Sequence, residues 1–386
     1  MSFTAHPLWL VGFRPFFILA CLAGLSLPAL WLTLHFGLID APALARPPLQ
    51  WHAHEMFFGF GWAVLGGFLL TASKNWVSIR GYHGAALAVL AAAWVIERIG
   101  MWFGGAWPAP LFAASNTLFL GGIVAMLLWT LIRHRKQDSY RDNYFFLLIL
   151  PAFLVAKQLM LDPEQFRAGT AMATALFRVA FLVMLERTLT QFMKGVFQVE
   201  ILRHAALDRA IKLLGLALVV APWMPAALAG GTALLLALLL AIRFAFWHPN
   251  RGLSRIDIGI MYLGYLAIVL QLGLEAVDAQ APHTWVGAMT THVFGLGVMG
   301  LIIPAMLVRI GKGHTGRKVV FDAGDKAVLW IMITALLLRV VAPQFAAGAY
   351  AVWLGAAALG WLLGFGILAL RLTPLLLAPR VDGKEH

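Results

Sequence analysis

The chain has a single cysteine, Cys21, among its 386 residues. That scarcity excludes an intrachain disulfide, a Cys-x-x-Cys zinc or iron–sulfur set, and the Cys-x-x-Cys-His pattern that attaches haem covalently. Any metal must be held by His, Met or carboxylate side chains. Charge is also scarce: 12% of residues are Asp, Glu, Lys or Arg, 61% are hydrophobic, and the mean hydropathy is +0.84. Acidic residues are the rarer sign, 17 against 29 basic ones, leaving a net charge of +12. That balance would suit a nucleic-acid partner. However, the cations are dispersed between apolar segments, with no contiguous basic face or RNA-binding motif, and this excludes nucleic acid. The composition is that of a polytopic membrane protein. There is no low-complexity tail, no soluble domain and no clear internal repeat. The dipeptides Glu97-Arg98 and Glu186-Arg187 are the only hint of two related halves. No separable signal peptide is expected, because residues 12–36 are long enough to span a bilayer themselves.

What is abundant is apolar sequence in blocks of about 20 residues, the length needed to cross a bilayer. The blocks predict an all-α bundle of about 12 transmembrane helices in one integral-membrane domain covering residues 1–386. They fall near 16–36, 52–71, 83–103, 110–132, 143–161, 169–192, 211–223, 228–247, 256–274, 283–308, 325–341 and 347–370. The seventh and eighth are the weakest, since Pro222 and Pro225 interrupt them. Lys and Arg gather in the even loops: Lys74 and Arg80; Arg133, Arg135, Lys136 and Arg141; Lys194, Arg203, Arg209 and Lys212; Arg251 and Arg255; Arg309, Lys312, Arg317 and Lys318. Even loops and both termini are therefore expected on the cytoplasmic side. The segment from Gln198 to Lys212 carries a short amphipathic pattern suited to the membrane face.

With that orientation the histidines divide. His35, His52, His54 and His283 fall at the outer ends of predicted spans, and His292 falls about 13 Å deeper than His283 along the tenth. The stretch Trp51-His52-Ala53-His54-Glu55-Met56 is the densest gathering of metal-ligating chemistry in the chain. On a helix His52, Glu55, Met56 and Gly59 share one face, while His54, Phe58 and Gly61 share another. His292 shares a face with Met289, Gly295 and Met299 and suits a haem axial ligand or a copper ligand. Its bland alternative is an imidazole bonded to a carbonyl. His52 and His54 are either metal ligands or hydrated interfacial side chains. Glu55 either relays protons or complements a helix dipole. Met56 and Met289 are soft enough for Cu(I) but equally serve packing. His283 and His292, nine residues apart on a helix, would be poor partners for one ion. Arg14, Arg98, Lys157, Arg178, Glu186, Arg187 and Arg339 are charges in or beside spans, readable as salt bridges, as anchors for haem propionates or as a proton path.

Several of these stretches resemble the NnrS family. They are Gly12-Phe-Arg-Pro-Phe-Phe17, the Trp-His-Ala-His-Glu-Met block at 51–56, Gly67-Phe-Leu-Leu-Thr-Ala72 with Asn75-Trp76, and the region from His292 through Arg309 to Gly313-His-Thr-Gly-Arg317. The resemblance implies a twelve-span bacterial inner-membrane protein of the nitric oxide response containing haem and copper. The metal site would face the periplasmic side. It points to non-covalent, b-type haem, with copper or a second iron beside it. The expected ligands are His54 and His292 for haem, with Arg14 and Arg98 near it, and His52, His54, His283, His292 and Met56 for metal. Glu55 and Glu97 are expected to handle protons. The partners would be nitric oxide, membrane lipid and an electron donor, with homo-oligomerisation open. A nitric oxide reductase is the leading expectation. A secondary transporter of a metal or metal–nitrosyl species, and a haem-based sensor without turnover, are the alternatives. Which of His52 and His54 serves haem stays open on sequence alone.

Overall fold

The computed structural model describes residues 3–41, 43–140, 143–281 and 283–384. Arg141, one of the cations assigned to an even loop, lies outside the described residues. Those residues form helices and no strand. Twelve main helices are α1 (Phe13–His35), α2 (Pro48–Trp76), α3 (Ala85–Phe103), α4 (Ala109–Arg133), α5 (Tyr144–Leu161), α6 (Phe166–Phe197), α7 (Ala205–Ala217), α8 (Ala226–Phe246), α9 (Ile256–Gln280), α10 (Met289–Gly313), α11 (Ala323–Phe345) and α12 (Tyr350–Leu377). All but α7 are long and apolar enough to cross a membrane, the mark of a multi-pass membrane protein. The expected seventh span is shorter than its apolar run suggests. α7 stops at Ala217, gives way to a 3-10 segment Leu218–Trp223 that contains Pro222, and Pro225 then caps α8.

Local chemistry sets the helix starts. Pro48 occupies the first turn of α2, where a missing N–H costs nothing. Asp322 and Asp325 form a reciprocal capping box at α11, with Asp322 Oδ1 accepting from Asp325 N at 3.1 Å and Asp325 Oδ2 from Asp322 N at 3.2 Å. The start of α10 differs from expectation. Residues 283–288 are not helical; Gly287 and Ala288 both hold left-handed φ values, +72° and +51°, and the helix begins only at Met289. Two left-handed residues in succession cannot continue a right-handed helix. His283 therefore lies in a loop, not on a helix face opposite His292, and the expected 13 Å of helix between them does not exist.

The chain splits into two compact units assembled from interleaved segments. The first comprises Met1–Thr170, Met306–Val320 and Phe365–His386; the second comprises Ala171–Ala305 and Phe321–Gly364. In the first unit α1 lies against α2 through two glycines. A Cβ on Gly12 would stand 2.6 Å from Leu70 Cβ, and one on Gly67 would stand 2.8 Å from Phe16 Cβ. Small residues let helices approach closely where lipid supplies no hydrophobic drive. The contact is pinned by Phe13 N donating to Thr71 Oγ1 at 2.8 Å, and Thr71 in turn donating to Gly67 O at 2.7 Å. The Gly12–Phe17 and Gly67–Ala72 motifs thus meet each other. Arg14 ties down the end of α12 by donating to Leu376 O and Ala378 O at 2.9 and 2.7 Å. In the second unit Gly264 and Gly297 bring α9 and α10 together, and Tyr262 and Tyr265 donate to Trp247 O and Leu240 O at 2.5 and 2.8 Å. Large exposed apolar side chains such as Val89, Trp129, Leu148 and Leu370 are the surface a bilayer would cover.

The α10 junction makes a testable contrast. A Cβ on Gly287 would stand 2.4 Å from the Tyr350 ring and 2.7 Å from Arg339, on a backbone that L residues resist, whereas one on Gly295 would meet nothing within 4 Å. Gly287→Ala is expected to cost about 1–3 kcal/mol and Gly295→Ala within about 0.5 kcal/mol of none, read as detergent-phase unfolding midpoints. Equal midpoints would remove the case for a strained junction.

Candidate functional site

The most concentrated polar chemistry of the first unit is in the interior of α2 and around it. Because α2 begins at Pro48, His54 stands inside the helix and not at its mouth, and it is wholly buried. Directly after it, Glu55–Gly61 winds as a π-helix. Such a segment loosens the regular ladder and leaves carbonyls for other partners. Two are taken by α3: Arg98 Nη1 donates to Phe58 O at 3.1 Å and Trp94 Nε1 to Gly59 O at 2.9 Å. Gly59 leaves the room these groups occupy, since a Cβ would stand 2.8 Å from Arg98 Nη1 and 3.2 Å from Glu55 Oε2.

Onto this opening converge four ionic side chains. His54 Nδ1 lies 3.1 Å from Glu55 Oε1. Glu55 Oε2 pairs with Arg98 Nε at 2.8 Å, off the hydrogen-bond axis. Arg98 Nη2 donates to Glu97 Oε1, which also accepts from Lys157 Nζ at 2.7 Å. Lys157 additionally donates to the Asn116 carbonyl. Two carboxylates thus face two cations, all but Arg98 essentially sealed from solvent. Burying any one alone would cost many kcal/mol; as a neutral, hydrogen-bonded quartet they become tolerable. At the end of this chain, His54 Nε2 is buried without a hydrogen-bond partner. Asn116 stands beside His54 but does not meet Nε2 in hydrogen-bond geometry. The Phe58 ring lies 5.3 Å from the imidazole, on the shared face the spacing predicts.

His52 points elsewhere. Its ring lies tilted against Trp31 and that of His35 stacks on the same indole, with centroids 4.6 and 4.7 Å away. Met56 is half-buried and joins no described polar contact. Among the described residues, no three His, Cys, Asp or Glu side chains are grouped so as to hold a metal ion.

His292 belongs to the second unit. It occupies the first turn of α10 and is half-buried, so it is not deep in the span. Its Nδ1–H donates to Ala288 O at 2.9 Å, the carbonyl reading, and Arg339 Nη2 lies 3.3 Å from Nε2 as donor. π-helical segments recur beside both residues, Val293–Met299 after His292 and Leu337–Val341 around Arg339. His283 is exposed; its Nδ1 bonds Ala281 O at 2.7 Å and its ring stacks on Trp285. The second unit also holds a network not foreseen from sequence. Glu186 meets Arg203, Lys212 and Arg243, and Asp208 meets Arg203 at 2.9 Å and Arg243 at 3.6 Å. Arg178 pairs with Glu275 and Gln271, each at 2.7 Å.

A family model, NnrS protein, matches residues 7–380. The chain belongs to the NnrS family. No curated protein matches it. The family blocks are thereby placed in this NnrS protein. Trp-His-Ala-His-Glu-Met builds the buried quartet with α3 and α5, and the two α1–α2 glycine motifs hold those helices together. In the Gly-His-Thr-Gly-Arg block, His314 tilts over Phe13 with ring centroids 5.4 Å apart. Burial, followed by the charges of Lys74 and Arg380, lowers the His314 pKa below its usual value, which keeps it neutral at pH 7. Asn116 and Lys157 complete the buried cluster. Lys157 had a sequence signal as a charge inside a span, but Asn116 had only the weak one of an amide in an apolar run.

The quartet predicts strong coupling. Lys157→Met should destabilise the protein by about 3–5 kcal/mol because Glu97 loses a buried counterion. Adding Glu97→Gln should recover most of that loss. A thermal double-mutant cycle in detergent reads the coupling, and additive losses would show that the pair is not a unit.

Proposed function

We propose that this protein is a membrane-embedded haem protein that takes up nitric oxide and reduces it to nitrous oxide. Family membership fits a role in the nitric oxide response. The observation carrying the finer reading is the fully buried His54, whose Nε2 has no partner while Nδ1 is backed by Glu55. A carboxylate on the far nitrogen fixes the tautomer and raises ligand basicity, which is how ligating histidines are commonly supported. The donor chemistry therefore fits a haem iron held through His54 Nε2. His292 suits the role less well, because Arg339 already donates to its Nε2. For copper, no three His, Cys, Asp or Glu side chains are grouped among the described residues.

Bound haem would supply the one-electron chemistry and a binding position for nitric oxide. The overall reaction takes two NO, two electrons and two protons to N₂O and water, with an electron donor of separate identity. The apolar helices offer a small apolar gas a route that excludes ions. Protons need polar groups, and the chain His54 Nδ1, Glu55, Arg98, Glu97, Lys157 is the hydrogen-bonded and ion-paired row that offers them. In this reading Glu55 accepts the Nδ1–H of His54 at Oε1 and holds the ring in one tautomer. Arg98 keeps both carboxylates positioned, and Lys157 compensates Glu97. The charge bias favours cationic loops on the cytoplasmic side, which supports a place for the protein in a bacterial inner membrane.

The purified protein should show a Soret band with reduced haem bands that shift on adding nitric oxide, and N₂O should form with an artificial donor. His54→Ala should lose the haem bands, while His52→Ala should keep them. Haem retained in full by His54→Ala would sink the ligand assignment. Shifting bands without N₂O would favour a sensor over a reductase.

A further inference from the structure

At the end of α2 the first unit contains a cavity of about 430 Å³, inside the range typical of small-ligand sites. Lys74, Asn75, Ser78, Arg80 and Gly81 line it, and no acidic residue does. The surroundings add cations. Lys74 and His314 both lie in the field of Arg380, and Arg14 lies in the fields of Arg380 and Arg317. Asp382, a carboxylate near this end, is engaged bidentately by Arg380 at 2.8 and 2.5 Å, and its pKa is held down to about 2. Arg14 is fully buried with Nε and Nη2 unpartnered, and Arg317 Nη1 is buried and unpartnered as well.

Backbone geometry points the same way. α2 ends in the pattern where Ile79 N bonds Lys74 O at 3.0 Å, which puts Ser78 in the left-handed position at φ +52°. Glycine is the ordinary occupant of that position; a side chain there costs about 1 kcal/mol. Here the side chain places a hydroxyl on the cavity wall. Strain of this kind is found at ligand clamps. A loop that only set membrane orientation would need the charges, but neither the cavity nor a strained serine.

We infer that this cavity is a binding site for a phosphate group, with Lys74 and Arg80 as its cations and Asn75 and Ser78 as its hydrogen-bonding groups. Tetrahedral oxyanions accept several charge-assisted bonds at once, matching the mixed cation, amide and hydroxyl lining. The volume exceeds one phosphate, leaving space for an attached alcohol. A lipid headgroup, entering where α2 leaves its apolar run, and free phosphate in solution both supply such a group; the chemistry is shared.

The test uses the full-length protein in detergent, delipidated against a neutral surfactant. Phosphatidylglycerol and phosphatidylcholine are titrated by native mass spectrometry, and radiolabelled inorganic phosphate by equilibrium dialysis. One saturable equivalent of phosphatidylglycerol or of phosphate is expected. It should weaken about tenfold or more in Lys74→Gln/Arg80→Gln and stay unchanged in Arg209→Gln, an exposed cation outside the cavity. Competition by inorganic phosphate assigns the site to free phosphate. Binding of phosphatidylglycerol without such competition assigns it to the headgroup. If the double variant is not monodisperse, Arg80→Gln alone carries the comparison, since that side chain is exposed. No saturable binding of either probe, equal binding of phosphatidylcholine, or unchanged binding in the cavity variants overturns the inference.

Discussion

A charge inside an apolar bundle must find its counter-charge within the chain, because no water is there to provide it. Much of this structure follows from that constraint. Glu97 cannot sit in α3 unless Lys157 of α5 and Arg98 reach it. Arg98 in turn can face inward only because the π-helical turn of α2 releases the Phe58 carbonyl and brings Glu55 within range. Three helices are thereby fixed in register by a single neutral quartet. The second unit meets the same problem around Glu186, where Arg203, Lys212 and Arg243 gather on one carboxylate and Asp208 adds a second beside Arg203 and Arg243. Both Glu-Arg dipeptides of the sequence thus seed a buried network, each in its own unit.

The irregular turns are as consequential as the charges. A regular helix through residues 55–61 would satisfy its own carbonyls and leave Arg98 and Trp94 without acceptors. The π segment removes that conflict and lets Gly59 bring the backbone against a guanidinium. Similar segments follow His292 and enclose Arg339. In each place a polar side chain inside an apolar helix coincides with a widened turn, consistent with the tendency of such turns to mark functional sites.

How much of this could be read from the sequence depends on the scale of the signal. Spans come from runs of about 20 apolar residues, and all but the seventh reappear as long helices near their expected positions. The seventh is shortened because two prolines act on backbone geometry, which hydropathy does not register. Depth along a helix was less legible. Pro48 starts α2 early and buries His54, while Gly287 and Ala288 start α10 late and leave His292 in a first turn. Those shifts of about one to two turns reversed which histidine is the buried one. The pairing of Glu55 with Arg98, and of Glu97 with Lys157, was also invisible. Partners 43 and 60 residues apart in sequence share no local pattern.

The contrast between the two histidines shows what a ligand site requires beyond residue type. Both imidazoles sit beside a π-helical turn, and both have one nitrogen committed to an oxygen. His54 is committed to a carboxylate and leaves its other nitrogen unpartnered in a dry interior, so an unpaid desolvation cost waits there for a metal or a donor. His292 is committed to a backbone carbonyl, and an arginine already offers a proton to its second nitrogen. A ligand at His292 must first displace that guanidinium and leave it to find another acceptor in a mostly apolar setting. A ligand at His54 displaces nothing of the kind, and it would give the orphaned ring nitrogen the partner it lacks.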